Sequence, residues 1–116
     1  AVLIRSVEPR AGEALMRSRR HSVKSFRGGR LETSDLCRGP GNFARSFGLT
    51  ARHNRIDICS EPLYIRDADH PSGAIAWSSR IGISAATEKR WRVYLRQSKS
   101  VSGPRRLNCS TFAGGS

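Results

Sequence analysis

The run Leu36-Cys37-Arg38-Gly39-Pro40-Gly41-Asn42-Phe43-Ala44-Arg45-Ser46-Phe47-Gly48-Leu49 constrains the fold more than any other segment of the chain. Gly39 and Gly41 permit backbone angles and close approaches that a side chain would block. Pro40 fixes φ for a first helical residue and gives up an N–H that has no partner there. The run therefore predicts a Gly-Pro-Gly turn that opens a short helix, with Gly48 ending it. Such a turn presents backbone N–H groups at the positive end of a helix dipole, an arrangement that seats an anion. Arg38 and Arg45 flank it and are placed to clamp the same phosphate or its neighbour. A plain helix–helix connection with solvated arginines is the simpler reading of the same residues.

Charge decides between the two. The 116 residues carry 21 Lys plus Arg against 9 Asp plus Glu, a net charge of +12. Lys24, Lys89 and Lys99 are the only lysines, so 18 of the 21 cations are arginines, whose planar fork suits bidentate phosphate and base-edge contacts. A polyanionic partner follows, and nucleic acid leads. A membrane is disfavoured: no stretch approaches the roughly 20 apolar residues of a span, and no basic amphipathic helix carries a wide apolar face. Ala1-Val2-Leu3-Ile4 is too short for a signal h-region. Cys37, Cys59 and Cys109 are odd in number and form no C-x-x-C pair, and His21, His53 and His70 show no ligand spacing. Neither a disulfide framework nor a metal site is expected, and an intracellular, cytoplasmic or nucleoid-associated setting fits free thiols.

At this length, and with 37% hydrophobic residues, one small-cored domain is expected. The pattern predicts an α+β fold: a small mixed sheet with short helices, forming an incomplete domain. A helix begins at Glu8-Pro9 and runs to about Arg20, with Arg10, Arg17, Arg20 and Lys24 on one stripe able to track a nucleic-acid backbone. Ser25 to Arg30 form a flexible basic loop, and Thr33 or Ser34 caps a short helix through Cys37. Downstream the period becomes two, predicting short strands at Ile56 to Ile58, Leu63 to Ile65, Ile81 to Ile83 and Val93 to Leu95, parted by Pro62, Pro71 and Gly73. Trp77, Trp91, Tyr64 and Tyr94 in or beside them are expected to pack a small sheet rather than stack on bases. Ala1 to Ile4 read as a strand wanting neighbours on both faces, so part of the sheet is expected to lie outside this sequence. Residues 103–116 are expected to be a disordered tail.

No nucleophile–base pair, paired carboxylates, P-loop or dinucleotide fingerprint is present. The carboxylates read as caps, turn residues and exposed charges.

Several segments, in order, do carry a resemblance. Val2-Leu3-Ile4-Arg5-x-x-Glu8-Pro9, Asp35-Leu36-Cys37-Arg38-Gly39-Pro40-Gly41-Asn42, Phe47-Gly48-Leu49-Thr50-x-x-His53-Asn54-x-x-Asp57-Ile58, Ser79-Arg80-Ile81-Gly82-Ile83 and Trp91-Arg92-Val93-Tyr94-Leu95 resemble the C-terminal half of the alkyladenine (3-methyladenine) DNA glycosylases, over residues 1–102. The resemblance implies base excision repair. A damaged purine is flipped out of double-stranded DNA and its N-glycosidic bond is hydrolysed by an activated water, by a monomer that needs no metal or organic cofactor. It places Arg5 beside the flipped nucleotide and Arg38, Gly39, Pro40, Gly41 and Asn42 on the DNA backbone. Asn42 stands where many members have lysine. The general-base glutamate, the intercalating tyrosine and the aromatic and histidine residues of the base pocket belong to a preceding region absent from this sequence. The expectation is a truncated member that binds DNA weakly and is inactive alone, the alternative being a non-catalytic basic DNA-binding module.

Overall fold

The computed structural model describes residues 1–21, 31–67, 73–86, 88–104 and 108. Lys24, the basic loop from Ser25 to Arg30, His70, Pro71, and residues 105–107 and 109–116 of the expected tail, Cys109 included, lie outside the described residues.

Helix α1, Glu13–His21, begins later than the Glu8-Pro9 signal suggests. Gly12 sits at φ +77°, a left-handed conformation that cannot continue a right-handed helix, and its carbonyl instead accepts the Met16 N–H at 3.1 Å as the first turn forms. Glu13 opens the helix, and Arg19, Arg20 and His21 close it, as the dipole favours. A single 3-10 turn follows at Thr33–Asp35. Glu32, rather than Thr33 or Ser34, is its cap, and its N–H donates to the Asp35 carboxylate at 3.2 Å. The Thr33 hydroxyl is used elsewhere, donating to Glu13 at 2.7 Å and tying the turn back to α1. That bond, with Arg17 next, holds the Glu13 carboxyl below its ordinary pKa of 4.5. Helix α2, Pro40–Phe47, starts and ends where the glycines place it. Gly48 is left-handed at φ 67°, and the N–H of Leu49 closes the end on the Ala44 carbonyl at 2.8 Å.

The helices enclose a core built on Met16, Leu36 and Cys37, with Val7, Leu31, Phe43 and Phe47 packed around it. Leu36 and Cys37 are fully buried, and burial pushes the Cys37 thiol above its usual 9.0. So few apolar side chains supply little burial energy, and polar links carry the rest. Three arginines of α1 provide them. Arg20 Nη1 donates to the Asp35 and Leu36 carbonyls, both at 2.8 Å. Arg19 Nη1 reaches the Ser46 carbonyl at 2.9 Å, and Arg17 reaches the Leu31 carbonyl while its fork grips Glu13 at 2.7 and 3.2 Å. The Asp35, Leu36 and Ser46 carbonyls lie at the ends of helical turns, where the local dipole favours a cation, and the Asp35 carbonyl also takes the Arg38 N–H at 3.4 Å. Ser46, itself fully buried, donates its hydroxyl to the Leu36 carbonyl at 2.5 Å.

A two-stranded antiparallel ribbon completes the α+β fold. Strands β1, Ile75–Ser78, and β2, Arg92–Leu95, pair with Ile75 opposite Leu95 and Ser78 opposite Arg92. The buried face carries Ala76, Ser78, Arg92 and Tyr94, so Val93 points outward. Arg92 is 7% exposed and makes three bonds: Nη1 to Ser78 Oγ at 2.8 Å, and Nη2 to the Ser102 carbonyl at 2.7 Å and to Asn108 Oδ1 at 2.5 Å. Its guanidinium also lies 4.6 Å from the centre of the Tyr94 ring. Burial pulls its pKa below the ordinary arginine value.

The other predicted strands are absent from the described residues. Gly82, at φ +76°, turns Ile81 to Ile83 out of any extended ladder. The Ile58 and Ile65 segments meet through one backbone bond, Ile65 N–H to Ile58 carbonyl at 2.8 Å, because the Asp57 carboxylate folds the intervening chain by taking the Cys59 N–H at 2.9 Å. Val2 and Leu3 are exposed and Ala1 to Ile4 form no strand.

Arg20→Met keeps the aliphatic stem and removes two charge-assisted bonds, so it is expected to lower the unfolding free energy by about 2–3 kcal/mol in urea titration. Arg10→Met, at a side chain 83% exposed, is expected to change it by less than about 0.5 kcal/mol.

Candidate nucleic-acid interface

The Gly-Pro-Gly corner is assembled from both sides of the chain. Gly39 caps α2 at φ 104°, ψ 150°, a conformation open only to glycine, and its carbonyl accepts the Phe43 N–H at 2.8 Å. Residues 5–7 run past it: Ser6 bridges to Arg38, and the Val7 N–H donates to the Cys37 carbonyl at 3.2 Å. The Ser6 hydroxyl accepts the Gly39 N–H at 2.9 Å. One of the amides that sequence offers to an anion is therefore already used. Those of Gly41 and Asn42 have no partner among the described residues, and Gly41 is exposed. Asn42 folds its side-chain amide back to the Arg38 carbonyl at 2.9 Å, bracing the turn.

Two cations border these amides. Arg38 touches Asp35 at 3.3 Å in a pair exposed on both sides, an attachment too weakly held to compete with a phosphate. Arg45 is exposed and unpaired among the described residues. It follows Gly41 by one helical turn, about 6 Å along the axis and on the same face. Arg17 and Arg20, expected on the same interface, point elsewhere: Arg17 bonds Glu13 and the Leu31 carbonyl, and Arg20 Nη1 bonds the Asp35 and Leu36 carbonyls.

Arg5 lies at a second place. It borders a cavity of about 790 Å³ between residues 1–8 and the ribbon, with Trp77, Trp91, Tyr94 and Ser102 among its neighbours. Its Nε donates to Ser102 Oγ at 3.4 Å, while its terminal amino groups have no partner among the described residues. The buried Tyr94 hydroxyl also lacks one. Among the described residues Glu8 is the sole carboxylate on the cavity wall, and it is exposed and paired with Arg10 at 3.5 Å. No group of three or more His, Cys, Asp or Glu that would hold a metal ion occurs among the described residues.

Sequence reasoning missed Ser6, Ser102 and Arg92. A lone serine carries no motif signal, but Arg92 had one: in Trp91-Arg92-Val93-Tyr94-Leu95 the arginine shares its parity with Tyr94 and so faces inward whenever the tyrosine does. Gly39→Ala is expected to cost about 1–3 kcal/mol from backbone conformation alone, since an added Cβ meets nothing closer than Asn42 Nδ2 at 4.0 Å. Gly41→Ala, with no atom within 4 Å of its added Cβ, is expected to be neutral or stabilising by up to about 1 kcal/mol. Urea midpoints of the two variants check the contrast.

Residues 1–99 match the model of the family described as Methylpurine-DNA glycosylase (MPG). Three curated relatives share the name "Putative 3-methyladenine DNA glycosylase". The protein from Rubrobacter xylanophilus is 42% identical over 109 residues, covering 93% of this chain and 52% of the relative. That from Rhodopseudomonas palustris (strain BisB18) is 41% identical, covering 90% and 48%. That from Desulfitobacterium hafniense is 34% identical, covering 88% and 52%. The chain thus spans about half the length of the curated relatives it matches. With the family's pattern running through the Arg5 segment, the glycine corner and the ribbon alike, this chain belongs to the methylpurine-DNA glycosylase family.

Proposed function

We propose that this chain forms the backbone-gripping part of a base-excision enzyme that hydrolyses the N-glycosidic bond of alkylated purines in duplex DNA. The family match over residues 1–99 carries this reading. The free Gly41 and Asn42 amides, with Arg38 and Arg45 beside them, take a DNA phosphate, and Arg5 at the cavity edge lies beside the extruded nucleotide. Extruding a base costs a few kcal/mol of stacking and pairing, and phosphate contacts of this kind offset it. The chemistry asks for a water activated by a carboxylate held in a dry pocket, and Glu8, exposed and ion-paired, does not meet that requirement. The chain alone therefore holds DNA as a monomer without excising bases.

Binding to a duplex that contains an abasic-site analogue, measured across a salt series, checks the proposal. The logarithm of the association constant is expected to fall with slope about −0.9 per phosphate contacted, and Arg38→Ala and Arg45→Ala are each expected to flatten the slope by about 1. Salt-independent binding, or unchanged slopes in both variants, would remove the corner from the interface. Release of methylated bases from alkylated duplex by the chain alone would contradict its inactivity.

A further inference from the structure

Residues 5–7 do more than border the corner. Ser6 and Val7 bond to the helical part, while Arg5 just before them bonds to Ser102, which Arg92 ties to the ribbon. Ser6 Oγ takes the Gly39 N–H at 2.9 Å, and Val7 N–H holds the Cys37 carbonyl at 3.2 Å. Arg5, one residue earlier, places Nε on Ser102 Oγ at 3.4 Å, and the Ser102 carbonyl is itself fixed by Arg92 Nη2 at 2.7 Å. Adjacent residues in an extended chain point to opposite sides, so the backbone can fasten Ser6 to the corner while directing Arg5 to the cavity. Any movement of Gly39 is passed through Ser6 to the peptide unit that carries Arg5. Of the two Arg5 attachments, the one inside its own side chain is long and weak, leaving the backbone anchor at Ser6 to set where the guanidinium stands.

We infer that Ser6 is a positioning residue: through its bond to the Gly39 amide it couples phosphate engagement at the α2 corner to the placement of the Arg5 guanidinium in the cavity. This rests on the proposed reading of the corner and of Arg5 as DNA-facing groups. It adds a communication between them that neither contact implies alone. Ser6 touches no DNA in this scheme; it acts through the main chain of its neighbour.

The test is amide and guanidinium NMR of the isotope-labelled chain, titrated with a short B-form duplex. In the unmodified protein the Gly41 and Asn42 amide signals and the Arg5 Nε–H signal are expected to shift together with one binding isotherm. In Ser6→Ala the two amides are expected to shift still, while the Arg5 Nε–H shift falls at least threefold. Ser6→Thr, which keeps the hydroxyl, is expected to restore it. A loss of fold would instead scatter signals across the spectrum and would not be rescued selectively at Arg5. If the amides shift but Arg5 stays still in the unmodified protein, or responds equally in Ser6→Ala, the coupling is wrong and the corner reading stands. If the Gly41 and Asn42 amides do not respond to duplex at all, the corner reading fails and the coupling fails with it.

Discussion

Guanidinium forks seated on main-chain carbonyls hold this molecule together. The helical part has a core of three buried side chains and a partial shell around them, too small to fix the relation of α1 to the segments it crosses. Arg17, Arg19 and Arg20 supply that relation by donating to the Leu31, Ser46, Asp35 and Leu36 carbonyls. Each bond is charge-assisted and falls on a part-buried carbonyl, where it is worth more than a neutral one. Arg92 repeats the device in the ribbon with Ser78, Ser102 and Asn108 as acceptors. A side chain with five donors in one plane can tie several pieces of backbone at once, and lysine cannot.

The net charge of +12 therefore divides into two populations. One part is structural, enclosed by carbonyls and serine hydroxyls. The other, represented by Arg38, Arg45 and the terminal amino groups of Arg5, stands at the surface or in the cavity with donors unspent or loosely spent. The first population helps fix the backbone that leads into the Gly39 corner, through the Asp35 and Leu36 carbonyls, and on the proposed function this prearranges the corner for a phosphodiester. That lowers the entropic cost of association.

Much of the helical part was legible in sequence, because glycine and proline act locally. Gly39 and Gly48 bound α2 through positive-φ conformations that other residues adopt only with strain, and Pro40 brings a φ already fixed for the first helical position. Gly12 was equally decisive but harder to read, since the same residue type ends one helix and delays another. The ribbon was the less readable part. Short alternations such as Ile56 to Ile58 and Ile81 to Ile83 resemble strands but become turns when an Asp side chain or a left-handed glycine bends the chain, whereas β1 buries the small Ala76 and Ser78 and leaves the large Ile75 and Trp77 on its more open face. Of the site, the corner and its flanking arginines were visible because the local pattern states them. The inward roles of Arg17 and Arg20 were not, since helical periodicity places them on a stripe without saying whether that stripe meets solvent or carbonyls.

The division of arginines is open to direct measurement by nitrogen-detected NMR of the guanidinium groups as temperature is lowered. Arginines seated on carbonyls rotate slowly about the Nε–Cζ bond and show resolved Nη signals, while solvated ones average. Arg20 and Arg92 are predicted to be resolved at temperatures where Arg10 and Arg45 remain averaged. If Arg20 and Arg92 average as freely as Arg45, their forks are not anchored in solution and the account of how this fold is held is wrong.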